Sequence, residues 1–301
     1  MTKIERVLAT IYGQAVDKLP KGEFHIEDGL ITKLLKVTSH QSLKRIDFED
    51  RVKASELLGL DALVFMADTD SQDGPWAELR RWGEESDFFT FALIDGPFQG
   101  VGHGYPDFTE FLMDIVKDED KMDSLVQGSL RRSLELGRAA IASGAHGILI
   151  ADDIAYNQGL YVSPRTMRER FFPYLKELRA ELVQSARAFT GREIPIFFHS
   201  DGNLQLILQD IKEMGFNGLH SLESVMDLRK VREAVGDDFC LMGGYSLAWF
   251  SAGGSNKVDE LIEAARPGRY IFGTSAGILD SGLEATEVLE VYRYADTLAC
   301  R

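Results

Sequence analysis

The chain alternates between short apolar runs and longer amphipathic stretches. Each apolar run is too short for a helix, and most finish at or beside an acidic residue or a histidine, which is typical of buried parallel strands. We predict eight strands, at residues 23–27, 62–67, 90–94, 147–151, 194–198, 218–222, 239–242 and 270–272. The stretches between them repeat their apolar residues with the period of a helix. We predict helices at residues 3–14, 77–81, 122–143, 164–188, 204–214, 228–235, 258–265 and 284–298.

Eight strands that alternate with helices are the count of a (β/α)8 barrel, so we predict the α/β class and a single TIM barrel with an N-terminal helix. A doubly wound sheet also alternates, but the polar strand ends favour the barrel because they would converge on one mouth. No linker or low-complexity segment interrupts the pattern, so one domain over residues 1–301 is expected. Two long connections, 69–88 and 245–256, carry tryptophans that either belong to lids or docking surfaces or pack on the barrel rim.

The composition and charge of the chain disfavour several classes of protein. The 301 residues are 45% hydrophobic, with a formal net charge of −15 and a pI of about 4.9. A surface of this sign disfavours a nucleic-acid partner. The cysteines, Cys240 and Cys300, provide neither a disulfide framework nor a CxxC motif. The N-terminus lacks the apolar region of a signal peptide and no apolar run is long enough for a bilayer, so a cytoplasmic protein without membrane contact is expected.

The most informative stretch is 195–203, where an apolar run leads into a histidine, an aspartate and a glycine. His199 and Asp201 are two positions apart, so on an extended strand they project to the same side. Such a strand end would offer an imidazole and a carboxylate to one pocket. His199 could serve as a metal ligand, a general base or a core histidine. Asn203 follows at the start of a helix, where a helix cap and a ligand contact are both open.

Polar residues follow the other predicted strands as well. Asp152 and Asp153 end the fourth strand, and because neighbouring side chains point to opposite sides, one should face the mouth while the other braces a turn. The alternative is that both are turn residues. Asn157 offers a donor and an acceptor together, which suits the edge of a heterocycle. The remaining candidates for substrate contact at strand ends are Asp95, Glu223, Gly243 and Ser275.

Several motifs of other enzyme classes are absent or incomplete. The glycine-rich segment 100–104 fits neither the Walker nor the dinucleotide pattern, so we interpret it as a flexible loop at the mouth. GxSxG and HExxH do not occur, which removes support for a hydrolase. Catalytic zinc typically has three protein ligands with thiolate or imidazole among them, whereas the candidates here are mostly oxygens. Cys240 lies inside a strand and is expected to be a small buried hydrophobe.

Four segments resemble motifs of the uroporphyrinogen decarboxylase superfamily, which includes the corrinoid-linked methyltransferases. Residues 6–20 are similar to its N-terminal R…G…D-R-x-P stretch and residues 152–164 to its D-D…S-P segment. Residues 198–203 are similar to its H-x-C-G-N segment and residues 241–244 to its L-x-G-G strand. The resemblance covers nearly the whole chain and implies a TIM barrel, in agreement with the strand count.

Departures from the family pattern indicate the branch. The decarboxylase has an arginine-rich N-terminal motif for the carboxylates of its porphyrinogen, but residues 1–30 contain only Arg6. The thiol-methylating relatives bind zinc through a histidine and two cysteines. This chain keeps His199, has Asp201 where the first of those cysteines would stand, and has no cysteine at 273–277. Zinc is therefore not expected.

An amine acceptor needs orienting hydrogen bonds and a place for its proton, but no metal, and tetrahydrofolate is such an acceptor. The sequence is most similar to the branch that moves a methyl group between a methylcorrinoid (methylcobalamin-type) protein and tetrahydrofolate, as in glycine betaine demethylation. The resemblance implies a methyltransferase with a corrinoid protein as partner. His199 and Asp201 would be catalytic, and the other candidates would bind the folate. A zinc-dependent thiol methyltransferase, a porphyrinogen decarboxylase and a binding barrel without turnover are the alternatives.

Overall fold

The structure, a computed structural model, describes residues 1–39, 46–252, 254–275 and 277–298. Its α-helices are α1 (Lys3–Ile11), α2 (Asp28–Ser39), α3 (Phe48–Leu57), α4 (Ala77–Glu85), α5 (Pro97–Gly102), α6 (Phe108–Lys117), α7 (Glu119–Ala142), α8 (Pro164–Arg170), α9 (Phe172–Thr190), α10 (Leu208–Glu213), α11 (Leu228–Val235), α12 (Ser255–Ala265) and α13 (Ala285–Thr297). Its strands are β1 (Gly22–Glu23), β2 (His25–Ile26), β3 (Ala62–Met66), β4 (Phe89–Asp95), β5 (Gly147–Ala151), β6 (Ala155–Tyr156), β7 (Gly159–Leu160), β8 (Ile196–His199), β9 (Gly218–His220), β10 (Cys240–Met242), β11 (Tyr270–Ile271) and β12 (Ile278–Leu279). Short 3₁₀ helices cover Gln205–Ile207 and Leu247–Ala252.

Eight of these strands form one sheet in the order β1-β3-β4-β5-β8-β9-β10-β11. Neighbours with a defined register in this sheet run parallel, as in the pairing of Ala151 on β5 with His199 on β8. A parallel bridge between Lys21 and Phe272 joins the segment before β1 to the segment after β11, so the first strand meets the last. A parallel sheet in chain order, with helices between strands and its ends joined, is a (β/α)8 barrel. The predicted fold class is confirmed.

The first predicted strand, 23–27, differs most from the structure. β1 ends at Glu23, and β2 leaves the barrel sheet to pair with β12. The cause is local, because the N–H groups of Phe24 and His25 both donate to the carbonyl of Gly277. These donors are therefore not available to a neighbouring barrel strand.

The single helix predicted over 164–188 is wrong, because the structure has two helices there. α8 ends at Arg170 and α9 begins at Phe172, with Pro173 in its first turn. Proline has no N–H, so it cannot make the backbone bond that would continue the preceding helix. A new helix can start there at no cost, since the first N–H groups of a helix have no partner within the helix.

The chain divides into two compact units. The first comprises Met1–Val64, Trp82–Thr90 and His220–Arg301, and the second comprises Phe65–Arg81 and Phe91–Leu219. The single domain expected from the sequence stays a prediction.

The first unit buries two basic residues, Arg6 and Lys21, that are paired with carboxylates. Arg6 is 6% exposed, and its guanidinium donates to Asp17 at 2.6 Å and also to Asp61. Lys21 is fully buried, and its ammonium lies 2.8 Å from Asp296. Because a buried charge is costly without a partner, these pairs tie α1 and α13 to the segments that precede β1 and β3.

The second unit packs long helices on its strands. A Cβ added at Gly137 on α7 would lie 2.5 Å from Leu182 on α9 and 3.3 Å from Ile94 on β4, so this glycine allows close helix packing. On the strands, the rings of Phe91 and Phe197 lie 5.2 Å apart. This packing fixes the carboxyl ends of β4, β5 and β8, from which polar side chains emerge.

The tryptophans of the connection 69–88 are packed rather than exposed. Trp76 is 2% exposed, and its indole donates to the carbonyl of Leu136 at 3.0 Å. Trp82 is 3% exposed and meets Phe88 edge-on. Packing, rather than a lid, is therefore the role of these two side chains.

Aromatic side chains of the connection 245–256, in the first unit, are packed on one another as well. Phe250 is 3% exposed and its ring lies 4.9 Å from that of Tyr245, which is itself fully buried. Trp249 meets Tyr245 edge-on at 5.4 Å. Residue 253 of this connection lies outside the described residues.

Within the described ranges, no helix combines the length and apolar character that a bilayer crossing requires.

Candidate functional site

Three side chains converge where β5 and β8 end. Asp153 follows β5, His199 is the last residue of β8, and Asp201 lies two positions beyond it. Each offers one potential ligand atom, and these atoms all lie within 4.8 Å of one another. Nε2 of His199 is 3.8 Å from Oδ1 of Asp153. His199 and Asp201 thus project to the same side, as their spacing predicts, and Asp153 is the member of its acidic pair that joins them.

The turn after β8 is held by the backbone of β6. The N–H of Asp201 donates to Oδ1 of Asp153 at 2.9 Å. Gly202 has φ of +86°, and a Cβ there would lie 2.5 Å from the carbonyl carbon of Ala155 and 2.6 Å from the nitrogen of Tyr156. Only glycine combines this backbone conformation with the space available. The glycine therefore sets where the Asp201 carboxylate emerges.

Asp152 points the other way and is fully buried. Its Oδ1 accepts from the N–H of Gln99 at 2.7 Å, and Gly96 leaves room for it, because a Cβ there would lie 2.4 Å from its Cγ. Burial raises the pKa of Asp152 to about 8, although hydrogen bonds from the N–H groups of Gln99 and Phe98 oppose that rise. Its Oδ2 has no hydrogen-bond partner among the described residues. The carboxyl is therefore mainly protonated at neutral pH and braces the start of α5. This agrees with the prediction that one aspartate of the pair braces a turn while the other faces the mouth. A direct substrate contact by Asp152 stays a prediction.

Gln99 connects the acidic residues at the ends of β4 and β5. Besides its N–H bond to Asp152, its Nε2 donates to Oδ1 of Asp95 at 3.1 Å. Its Oε1 accepts from the N–H of Asp153 at 2.9 Å. Gln99 is not among the site residues predicted from the sequence. The sequence pattern that could have indicated it is a glutamine, which can both donate and accept hydrogen bonds, in the first turn of the helix that follows the strand-end Asp95.

Asp95 also holds a histidine, since Nδ1 of His103 lies 3.0 Å from its Oδ2. The interpretation of 100–104 as a flexible loop is wrong, because α5 runs to Gly102 and the N–H of His103 donates to the carbonyl of Gln99. Pro97 in the first position explains the helix, since its fixed φ and missing N–H suit a helix start.

The two asparagines have different surroundings. Oδ1 of Asn203 accepts from the N–H of Gln205 at 3.1 Å, so its side chain forms an Asx turn just before the 3₁₀ helix. Asn157 is exposed in the turn between β6 and β7. Ligand contacts of both residues stay predictions.

The other candidates, Glu223, Gly243 and Ser275, belong to the first unit. Gly243 has φ of +93°, and a Cβ there would lie 2.7 Å from the carbonyl oxygen of Ser221, so it permits a close backbone approach. The N–H of Ser275 donates to the carbonyl of Tyr245 at 2.9 Å. Glu223 is partly exposed. Their part in substrate binding stays a prediction.

Asp153, His199 and Asp201 fit a divalent cation that prefers oxygen and nitrogen donors, because three protein ligands with an open position are typical of a catalytic metal. They supply no thiolate. Cys240 is fully buried, as a small core hydrophobe should be, and burial raises the pKa of its thiol to about 12. Cys300 lies outside the described residues. The same three side chains also suit hydrogen bonds from N–H groups of a ligand, and the expected absence of zinc stays a prediction.

Solved structures resemble the chain over nearly all its length. A methyltransferase from Methanosarcina mazei matches with a TM-score of 0.74 at 19% sequence identity, covering 99% of this chain and 99% of that chain. An archaeal fructose 1,6-bisphosphate aldolase matches with a TM-score of 0.48 at 10% identity, over 98% of each chain. A 2,3-dimethylmalate lyase matches with a TM-score of 0.45 at 14% identity, over 92% of this chain and 80% of that one. The first of these likenesses establishes the fold, not the reaction. Curated protein sequences contain no match.

The sequence profile of uroporphyrinogen decarboxylase (URO-D) matches residues 93–285. This region is more than half of the chain, and it contains Asp153, His199 and Asp201 together with the strands from β5 to β11. The chain therefore belongs to the uroporphyrinogen decarboxylase family.

Proposed function

We propose that this protein is a methyltransferase that moves a methyl group between a methylcorrinoid, carried by a partner protein, and N5 of tetrahydrofolate. The observation that carries the proposal is the convergence of Asp153, His199 and Asp201, with a carboxylate where thiol-methylating relatives have a zinc-binding cysteine. Carboxylates accept hydrogen bonds from amine and amide groups, which are what a folate acceptor presents. Membership of the family and the fold shared with a methyltransferase support methyl transfer as the reaction class.

In the direction of folate methylation, the lone pair of N5 forms the new bond to the methyl carbon. The methyl–cobalt bond breaks with its electron pair left on cobalt, so cobalt(III) becomes cobalt(I), and N5 loses its proton. His199 or Asp201 would accept or relay that proton. Alignment of N5, methyl and cobalt would supply most of the rate, because a displacement depends strongly on orientation.

The polar groups around the cluster suit the edge of a pterin. Asp153 and Asp201 provide acceptors for its N–H groups, and the exposed amide of Asn157 provides a donor and an acceptor together. Asp95 and Gln99 would act behind them, by fixing the backbone N–H of Asp153.

A metal-dependent thiol methyltransferase is the second candidate, and the same cluster favours it, since three donor atoms within 4.8 Å could hold a cation. Asp153, His199 and Asp201 would be the ligands. A bound cation would act as a Lewis acid that holds and deprotonates a thiol acceptor.

The decarboxylase activity that names the family fits this chain less well. A porphyrinogen carries several carboxylates, which arginines recognise in pairs of hydrogen bonds. Arg6 is the one arginine in residues 1–30, and it is buried and bonded to Asp17 and Asp61. Its guanidinium is thus used to hold the fold together.

The test is a calorimetric titration of chelator-treated protein with tetrahydrofolate under anaerobic conditions, followed by addition of methylcobalamin. We expect saturable folate binding and then the absorption spectrum of cob(I)alamin, without added metal. A parallel sample receives Zn²⁺ and a small thiol in place of folate. Activity only in that sample, with no folate binding, would replace the folate proposal with the metal-dependent one. Folate binding without cob(I)alamin, even with a corrinoid protein supplied, would indicate a binding barrel.

A further inference from the structure

A stack of aromatic rings leads from the core of the second unit to its surface. Phe98 is fully buried and stacks on Tyr161, with ring centroids 6.4 Å apart and planes 9° from parallel. Tyr161 stacks in turn on Tyr156, at 5.5 Å and 22°. Phe108 meets Tyr161 edge-on at 4.9 Å and supports it from the side. We call Phe98, Tyr161 and Tyr156 the ring stack.

The outer part of the ring stack is exposed to solvent. Tyr156 is 43% exposed and Tyr161 is 37% exposed, and the ring of Phe108 that supports Tyr161 is 43% exposed. Core packing explains the buried Phe98, but it does not explain three neighbouring aromatic side chains that keep much of their surface in water. Adjacent exposed aromatic rings are typical of binding surfaces, because a flat partner that stacks on them removes a large apolar area from water.

The ring stack is attached directly to the acidic cluster. The carbonyl of Tyr156 accepts from the N–H of Asn203 at 3.0 Å, and its nitrogen lies against Gly202. The pKa of the Tyr161 hydroxyl is raised, first by burial and then by the negative charges of Asp153 and Asp201. The open rings therefore stand next to the carboxylates that end β5 and β8.

We propose that Tyr156 is the platform on which the planar pyrimidinone ring of a pterin stacks, which extends the ring stack by one ring. The inference rests on the proposed folate-dependent function and assigns the part of the substrate that determines specificity. A ring on this platform would lie flat on Tyr156 while its N–H edge reaches the carboxylates of Asp153 and Asp201. A flexible aliphatic thiol would gain nothing from such a platform.

The experiment compares Tyr156→Phe and Tyr156→Leu with the wild type by calorimetry, using tetrahydrofolate, 6,7-dimethyltetrahydropterin and p-aminobenzoylglutamate as separate ligands. Phenylalanine keeps the ring and leucine removes it. We expect Tyr156→Leu to weaken tetrahydrofolate and the pterin about tenfold or more, and Tyr156→Phe to weaken them less than about threefold. Binding of p-aminobenzoylglutamate should not change. Phe189→Leu, which alters an aromatic side chain 66% exposed on α9, is the matched control and should bind like the wild type.

The outcomes separate the inference from the proposed function. If wild-type protein binds tetrahydrofolate and Tyr156→Leu binds it equally well, the platform is wrong while the function stands. If the leucine variant loses only p-aminobenzoylglutamate, the ring stack holds the other end of folate and the assignment to pterin is wrong. If the wild type binds neither folate nor pterin, both the function and the platform fall. Thermal unfolding of each variant shows whether the fold is intact, and the exposure of Tyr156 predicts that it is.

Discussion

Asp201 is held in place through its backbone, because its N–H donates to Oδ1 of Asp153 while its side chain stays exposed. The partner Asp153 is itself positioned by Gln99. At the scale of single residues, the carboxylate of Asp201 is thus positioned through Asp153, and Asp153 in turn through the side-chain amide of Gln99. Replacement of the Asp201 side chain keeps this backbone hydrogen bond, so the variant tests the chemistry of the carboxylate.

Asp201→Asn should lower turnover about tenfold or more with the fold intact, because the amide is a poor proton acceptor and offers one acceptor oxygen instead of two. The measurement is the rate of cob(I)alamin formation at saturating tetrahydrofolate, with thermal unfolding as the check on folding. Asp123→Asn, at an exposed carboxylate on α7, is the matched control. Wild-type turnover in the Asp201 variant would remove this residue from the mechanism.

Gln99 is a positioning residue, and Gln99→Glu should reveal that role. A carboxylate at this place cannot donate to Asp95 and would repel it, so the N–H of Asp153 and the cluster beyond it would shift. We expect kcat to fall by about tenfold to a hundredfold, while the Kd for tetrahydrofolate changes less. Gln209→Glu on the exposed face of α10 makes the same chemical change away from the site. An unchanged kcat for Gln99→Glu, or an equal loss in both variants, would contradict this role.

At the scale of elements, the turn after β8 and the β6–β7 hairpin form one packed unit around Gly202. Backbone atoms of Ala155 and Tyr156 occupy the space that any Cβ at position 202 would need. Backbone cannot move aside as the end of a flexible side chain can. The position of the ring stack relative to the Asp201 carboxylate therefore depends on a single missing methyl group.

Gly202→Ala should destabilise the protein by about 2–4 kcal/mol, because it combines a φ of +86° with contacts at 2.5 Å and 2.6 Å. Gly144→Ala is the matched control, since its φ is +91° but nothing lies within 4 Å of its Cβ position. That variant should lose only about 1 kcal/mol. Chemical denaturation of both variants gives the two free energies of unfolding. Equal losses would mean that the close packing of the hairpin costs nothing to disturb.

At the scale of the whole molecule, buried acids make stability depend on pH. Glu23 is fully buried and accepts hydrogen bonds from the N–H of Thr274 at 2.7 Å, its hydroxyl at 2.6 Å, and the hydroxyl of Tyr292. Burial raises its pKa to about 7 despite these bonds, and burial raises that of Asp152 to about 8. At a pH between the pKa of each acid in the unfolded chain and its raised pKa in the folded protein, the folded protein holds a proton that the unfolded chain has lost. The contribution of these two acids to the free energy of unfolding should therefore fall as pH rises from about 5 to about 8.

Glu23→Gln tests this dependence, because an amide in that place cannot ionise. The decrease in the free energy of unfolding between pH 5 and 8 should become smaller by roughly 3 kcal/mol at most, the value for a shift of this size in a buried group. Urea denaturation at a series of pH values measures it. Glu290→Gln, at an exposed position on α13, should keep the wild-type slope. A steeper decrease in the Glu23 variant would show that the sign is wrong.

The sequence by itself determined the barrel, the family and the strand ends that carry polar residues. Those properties are written locally, in apolar runs of strand length, in helical periodicity, and in short motifs such as that around His199 and Asp201. The same local rule placed their two side chains on one side and separated Asp152 from Asp153. Local signals also misled, as at Pro173 and Pro97, where one proline divides a predicted helix and the other begins an unpredicted one.

Only the tertiary structure decided which distant side chains meet. It brought Asp153 to His199 and Asp201, placed Gln99 between two strand ends, and stacked Tyr161 on the buried ring of Phe98. In the folded chain, Arg6 pairs with Asp17 and Asp61 and so stabilises the fold. The physical reason is that these contacts join segments far apart in the chain, and their geometry depends on packing and on backbone angles that no single segment encodes.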